Sequence, residues 1–191
     1  MPLFKVGSRF KFLNIFLPMA VTDKIIFLDL DGVMNTLRHQ RQLMYEGKVW
    51  EDRHGAFFDP VAVAQLRRII DATHAAIVIE SSWKCLGLEA MQRLWHARRM
   101  PGEVIDVTPS GISDSVLLSA DIDVTDPTVL HSKGAEIASW LYDNNMQQAP
   151  YVIIDDGYVI LESQFPHFVQ TDSYDGLTET LATRAIGILS E

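Results

Sequence analysis

Four consecutive apolar residues, Ile25-Ile26-Phe27-Leu28, run without interruption into Asp29-Leu30-Asp31-Gly32. An extended segment alternates its side chains between two faces, so an unbroken apolar run requires a strand covered on both. That is the condition of a central strand in a parallel sheet, and it demands helices above and below. Two further segments have the same form. Ala75-Ala76-Ile77-Val78-Ile79 leads into Glu80-Ser81-Ser82-Trp83, and Tyr151-Val152-Ile153-Ile154 leads into Asp155-Asp156-Gly157. Val104–Val107 and Phe168-Val169 read as shorter strands.

Helical segments fall between these runs. Asp59-Pro60 is a helix start, with the acid at the N-cap and proline in the first turn, followed by Val63, Leu66, Ile69 and Ile70 at helical spacing. Leu88, Met91, Leu94 and Trp95 mark a second helix, stopped by Pro101-Gly102. Ser132 is placed to cap a third, carrying Ile137, Trp140 and Leu141 and ending near Asn144-Asn145, and Leu177–Leu189 closes the chain as a helix. Residues 35–58, broken by Gly47 and Gly55, read as loop or a short hairpin, and residues 109–130, without a clear period, as a long loop. Trp83, Trp95 and Trp140 fall on or near apolar helical faces and read as core. The alternation predicts an α/β fold, a three-layer Rossmann-like parallel sheet with helices on both faces. Sheets of this kind bind ligands beyond the carboxyl ends of their strands. Asp29 with Asp31, Ser81 with Ser82, and Asp155 with Asp156 would meet there.

Length and charge narrow the chemistry. The 191 residues suit one domain of ordinary size. The single cysteine, Cys85, excludes an intramolecular disulfide and a multi-cysteine zinc site, which favours a reducing compartment and makes a cytoplasmic location the expectation. No apolar run reaches the ~20 residues needed to span a bilayer, so no membrane partner is expected. The formal charge of −9 disfavours non-specific binding of polyanions but suits an acidic pocket around a divalent cation. Residues 1–22 stand apart as an arm with Lys5, Arg9 and Lys11 and no acid, leaving 23–191 as the domain. Met19-Ala20-Val21-Thr22 leads straight into the first strand and reads as a start of translation, ahead of a surface arm or a cleaved signal.

Asp29 and Asp31 lie two apart at the end of an extended segment and so point in roughly the same direction. One carboxylate can attack phosphorus, and the other can protonate the leaving oxygen and later activate water. Phosphoryl transfer needs little more than in-line placement and charge neutralisation. Asp155 and Asp156 add negative charge at a neighbouring strand end. Four converging carboxylates would repel one another unless a hard cation lay between them, and oxygen ligands favour Mg²⁺. Lys133 can bind a phosphate oxygen and hold Asp29 ionised, and Ser81 can donate its hydroxyl to another. Singly, Asp155-Asp156-Gly157 is a turn, Lys133 a solvated surface residue and Ser81 or Ser82 a helix cap. Their joint placement at three strand ends is what points to chemistry.

These segments resemble the haloacid dehalogenase-like (HAD) superfamily. Ile26-Phe27-Leu28-Asp29-Leu30-Asp31-Gly32-Val33 is similar to its first motif, Ile79-Glu80-Ser81-Ser82-Trp83-Lys84 to its second, His131-Ser132-Lys133-Gly134 to its third and Ile153-Ile154-Asp155-Asp156 to its fourth. The segment Val169-Gln170-Thr171-Asp172, followed by Gly176-Leu177-Thr178, also looks similar, and Ser-Ser-Trp-Lys most resembles the small HAD domains of RNA-repair proteins. The resemblance implies a phosphatase. Asp29 would be nucleophile and metal ligand. Asp31 would be the general acid/base and ligate metal through its backbone carbonyl. Ser81, or Ser82 if the register slips by one, would bind phosphate together with Lys133. Asp155 and Asp156 would hold Mg²⁺.

Asp29 and Ser81 are 52 positions apart, as are Ser81 and Lys133, which leaves no room for a large cap domain. An uncapped site admits large phosphorylated substrates, either nucleic-acid ends or a phosphoprotein such as one bearing phosphotyrosine. Residues 38–58 would form a small flap, with Arg38, His39, Arg41, Trp50, Arg53 and His54 as contacts for a phosphate backbone or a base, or as plain surface. A module that keeps a phosphate pocket without turnover is the alternative outside enzymes, and a phosphotransferase is the alternative within them.

Overall fold

The computed structural model describes residues 23–117, 129, 132–158 and 160–191. The expected arm at residues 1–22, His131 and much of the expected 109–130 loop lie outside the described residues. Strand β1 spans Ile25–Leu28. The short strands β2 (Glu51–Asp52) and β3 (Gly55–Ala56) form a hairpin, and β4 (Ala76–Ile79), β5 (Val104–Val107), β6 (Tyr151–Asp155) and β7 (Phe168–Gln170) follow. β1 and β4 to β7 form one parallel sheet in the order β5-β4-β1-β6-β7. The chain first builds outward from β1 through β4 to β5, then crosses back to β6 on the other side of β1. That reversal makes the β1/β6 boundary the switch point where such sheets bind ligands.

The apolar runs are buried on both faces, as their composition requires. Ile26, Leu28, Ile77, Ile79, Val152 and Ile154 enter one core with Leu66 and Ile69 of α2 (Pro60–Thr73). The same core takes Met91, Leu94 and Trp95 of α3 (Leu88–Ala97), and Ala182 and Ala185 of the C-terminal helix (Glu179–Ile188). Ile25, Phe27, Ala76, Val78, Tyr151 and Ile153 enter the opposite core with Ile137, Trp140 and Leu141 of the Lys133–Asp143 helix. Phe27 centres this second core, meeting Trp140 and Tyr151 edge-on with ring centroids 5.5 and 5.8 Å away. Each such aliphatic or aromatic side chain contributes about 1.5–3 kcal/mol by leaving water.

The expected caps form. Asp59 accepts from the Val61 N–H with Pro60 in the first turn of α2, and Ser132 accepts from the Ala135 N–H. The C-terminal helix starts at Glu179 rather than Leu177, because Thr178 caps it by accepting from the Leu181 N–H.

Two loop expectations are met only in part. Residues 35–58 are not only loop and hairpin, since α1 occupies Leu37–Tyr45. No α1 residue is buried, so there is no apolar stripe from which to read it. Local capping forms it instead. Thr36 accepts from the His39 N–H, and the Leu37 and Arg38 amides donate to the Ser173 and Tyr174 carbonyls. A short helix, α4 (Asp114–Leu117), likewise interrupts the expected 109–130 loop, with Val116 buried. The Lys133–Asp143 helix is then α5 and the C-terminal one α6. Between β1 and α2 lie only α1 and the β2–β3 hairpin, and no large cap domain occurs among the described residues.

Candidate active site

β1 pairs with β4 and β6 in level register, Leu28 standing opposite both Ile79 and Ile154. The Asp29 amide donates to the Ile154 carbonyl, and the Glu80 amide to that of Leu28. The three strand ends are therefore level. Asp29 and Asp155 are both buried and share one counter-ion, Lys133 at the start of α5, whose Nζ donates to Asp29 Oδ2 and Asp155 Oδ2, each at 2.6 Å. Asp29 Oδ1 accepts from the Leu30 N–H at 2.7 Å, and Asp155 Oδ1 from the Gly157 N–H at 2.7 Å. Burial alone would press the Lys133 ammonium down, but Asp155 and Asp29 outweigh it and hold it above the usual lysine range. Burial and the neighbouring charge of Asp29 push Asp155 up to about 6, even against Lys133.

Asp156 lies beside this pair. Asp29, Asp155 and Asp156 each offer a carboxylate oxygen within 4.8 Å of the others. Ser173 Oγ donates to Asp156 Oδ2 at 2.8 Å. Gly32 is required here, because its φ is +71° and a Cβ would lie 2.1 Å from Asp156 Oδ2.

The four-carboxylate convergence expected from spacing becomes three plus one. The Asp31 carboxylate is outside the group of three and accepts from Asn35 Nδ2 at 2.6 Å, Trp83 Nε1 at 3.0 Å and Ser82 Oγ at 3.4 Å. The period-two argument stops applying where the strand ends at Leu28 and the chain begins to turn. Trp83 packs against the edge of the core, as expected, with its ring 6.1 Å from that of Phe58, but it has a polar task as well. It is half-buried, and its indole N–H serves Asp31. The two serines differ. Ser81 is buried with no hydrogen-bond partner for its Oγ among the described residues, whereas Ser82 is exposed.

Sequence reasoning missed a partly buried network that starts from Glu80 and Lys84, on either side of the serines. Lys84 Nζ donates to Glu80 Oε1 at 3.1 Å, Thr108 Oγ1 at 3.0 Å, the Pro109 carbonyl at 3.2 Å and Glu136 Oε2 at 2.5 Å. Thr108 also donates to Glu80. Burial raises Glu80 to about 7, ahead of the opposing pull of Thr108 and Lys84. The network ties the ends of β4 and β5 to α5, the helix that carries Lys133. Lys84 stood in the sequence immediately after Ser81-Ser82-Trp83, but its partners are 24 and more positions away apart from Glu80. Asn35 and Ser173 were likewise unmarked by any local pattern.

Gly134 keeps Lys133 in place. A Cβ there would lie 2.5 Å from the Leu161 amide nitrogen and 2.8 Å from Ile160 Cα, both backbone atoms that cannot step aside. Gly134→Ala is expected to destabilise the protein by about 3 kcal/mol, since overpacking forces backbone shifts. Urea unfolding measures this, and an unchanged midpoint would show that α5 tolerates displacement.

A family model described as "HAD domain in Swiss Army Knife RNA repair proteins" matches residues 25–182. Neither the curated proteins nor the solved structures give a match.

Proposed function

Because this chain belongs to the family of HAD domains found in Swiss Army Knife RNA repair proteins, a family of hydrolase type, we propose that it is a Mg²⁺-dependent phosphomonoester hydrolase acting on nucleic-acid ends. The observation that carries the reading is the sharing of Lys133 by two buried aspartates, Asp29 and Asp155, with Asp156 beside them. Three carboxylates against one ammonium leave negative charge unbalanced, and burial together with the Asp29 charge pushes Asp155 up even against Lys133. An all-oxygen donor set of this kind fits a small hard cation, so Asp29, Asp155, Asp156 and the Asp31 carbonyl are the residues that would hold Mg²⁺. When bound, the ion would neutralise phosphate oxygens and the nucleophile together.

The chain's own groups divide the remaining work. Asp29 attacks phosphorus as the ester P–O bond breaks, giving an aspartyl-phosphate. Asp31, held by Asn35 and Trp83, delivers its proton to the leaving oxygen, then takes one from the water that attacks the aspartyl-phosphate and frees inorganic phosphate. Lys133 and the unpartnered Ser81 hydroxyl bind phosphate oxygens. Ser82 is the weaker choice, being exposed and turned to Asp31. The absence of a large cap among the described residues favours a substrate bigger than a free nucleotide.

End-phosphorylated oligonucleotides, phosphotyrosine peptides and p-nitrophenyl phosphate, each with Mg²⁺ and with EDTA, test the reading. Release from the oligonucleotides that EDTA abolishes is expected. Release from the peptides alone would replace the substrate assignment with a phosphoprotein. No release from any ester, or transfer only to an added acceptor, would overturn hydrolysis.

A further inference from the structure

We infer that the groove between the β2–β3 hairpin and α3 binds the sugar-phosphate backbone of the strand whose terminal phosphate is removed. This rests on the hydrolase reading above and adds the direction in which the substrate lies.

In-line displacement puts the leaving oxygen opposite the attacking Asp29 oxygen, and the group that protonates it is Asp31. The body of a polynucleotide substrate therefore extends past Asp31. What lies beyond Asp31 is Trp83, whose Nε1 donates to Asp31 at 3.0 Å. The far edge of the same indole supports the hairpin, since a Cβ on Gly55 would lie 2.6 Å from Trp83 Cη2. The turn of that hairpin is Arg53-His54, and with α3 it encloses a groove of about 710 Å³ lined by Arg53, His54, Glu89, Gln92, Arg93 and His96.

The walls of the groove are fixed to each other. Arg98, just past α3, donates to Asp52 at 2.8 Å, to the Gly55 carbonyl at 2.9 Å and to the Ala56 carbonyl at 2.8 Å. The lining is net positive by one, Arg53 and Arg93 against Glu89, in a chain whose formal charge is −9. The contact of Glu89 with Arg93 is an exposed one at 3.4 Å, Arg53 Nε donates to His54 Nε2 at 3.1 Å, and Gln92 and His96 complete the polar wall. A chain this acidic holds a polyanion only through such a local patch. Guanidinium planes also suit both phosphate oxygens and base faces, giving backbone contact without sequence choice.

The test compares the double variant Arg53→Ala/Arg93→Ala with Arg67→Ala/Arg184→Ala, which removes the same charge from exposed positions outside the groove. Each is assayed on p-nitrophenyl phosphate, on an end-phosphorylated oligonucleotide of about ten nucleotides and on a phosphotyrosine peptide. The groove variant is expected to raise the oligonucleotide KM about tenfold and to lower the salt dependence of KM by about two charges. Its kcat on the oligonucleotide and on p-nitrophenyl phosphate, and its KM for p-nitrophenyl phosphate, should stay unchanged. Equal effects from both double variants would overturn the groove assignment while leaving the hydrolase reading intact. Turnover of p-nitrophenyl phosphate with none of the oligonucleotide would overturn the nucleic-acid substrate itself. A groove-variant effect confined to phosphopeptides would identify a protein ligand instead.

Discussion

Asp29→Asn is expected to lower kcat roughly 10⁴-fold or more, because it removes the atom that forms the covalent intermediate. The fold should survive. The introduced amide oxygen can still accept from the Leu30 N–H, and Lys133 keeps Asp155 as its partner. The substitution also deletes the neighbouring charge that helps push Asp155 up, which offsets the amide NH2 it sets against the Lys133 ammonium, so thermal stability should stay close to wild type. Acid-quenched single turnovers with ³²P-labelled substrate give a direct readout. Wild-type protein should carry acid-stable, alkali-labile label, and the variant none. A variant within tenfold of wild type would mean that water attacks phosphorus directly and that Asp29 only orders the site.

Lys133→Met should cost about 10³-fold in kcat, the scale seen when a group stabilising transition-state charge is removed. It should also change how stability depends on pH. Asp155 titrates at about 6 in the folded protein, above its unfolded value of about 3.9. Between those values the folded state binds more protons than the unfolded one, so the contribution of Asp155 to stability falls as pH rises. Without the ammonium, the folded-state value moves higher and the window extends upward. The variant should therefore fall behind wild type by clearly less at pH 5 than at pH 8, where the deficit should reach about 3 kcal/mol because Asp29 and Asp155 have lost their shared ammonium. Urea titrations at both pH values in EDTA measure this, and millimolar Mg²⁺ should restore part of the loss at pH 8. A deficit of equal size at both pH values would show that the packing of the lysine stem, rather than its charge, matters to the fold.

Part of the architecture was legible because burial on two faces leaves a local mark. Ile25–Leu28, Ala76–Ile79 and Tyr151–Asp155 are strands for the reason their composition indicates. Asp59 and Ser132 cap the helices that their positions suggested. Helix α1 was not legible, because none of its side chains is buried and its start is docked by carbonyls more than 130 positions away. The separation of Asp31 from the other carboxylates was hidden for a similar reason, since Trp83, one of the donors that hold it, comes from a different strand end.

The amino-acid order by itself determined which strands are central and which reactive groups follow them, since both are properties of neighbours along the chain. Only the tertiary structure decided that Asp29 and Asp155 share one ammonium, that Ser81 rather than Ser82 is the buried hydroxyl, and that Arg53 and Arg93 line a single groove. Those relations depend on strand register and helix docking. Both are set by the packing of two cores at once, and that packing is not encoded at any one position.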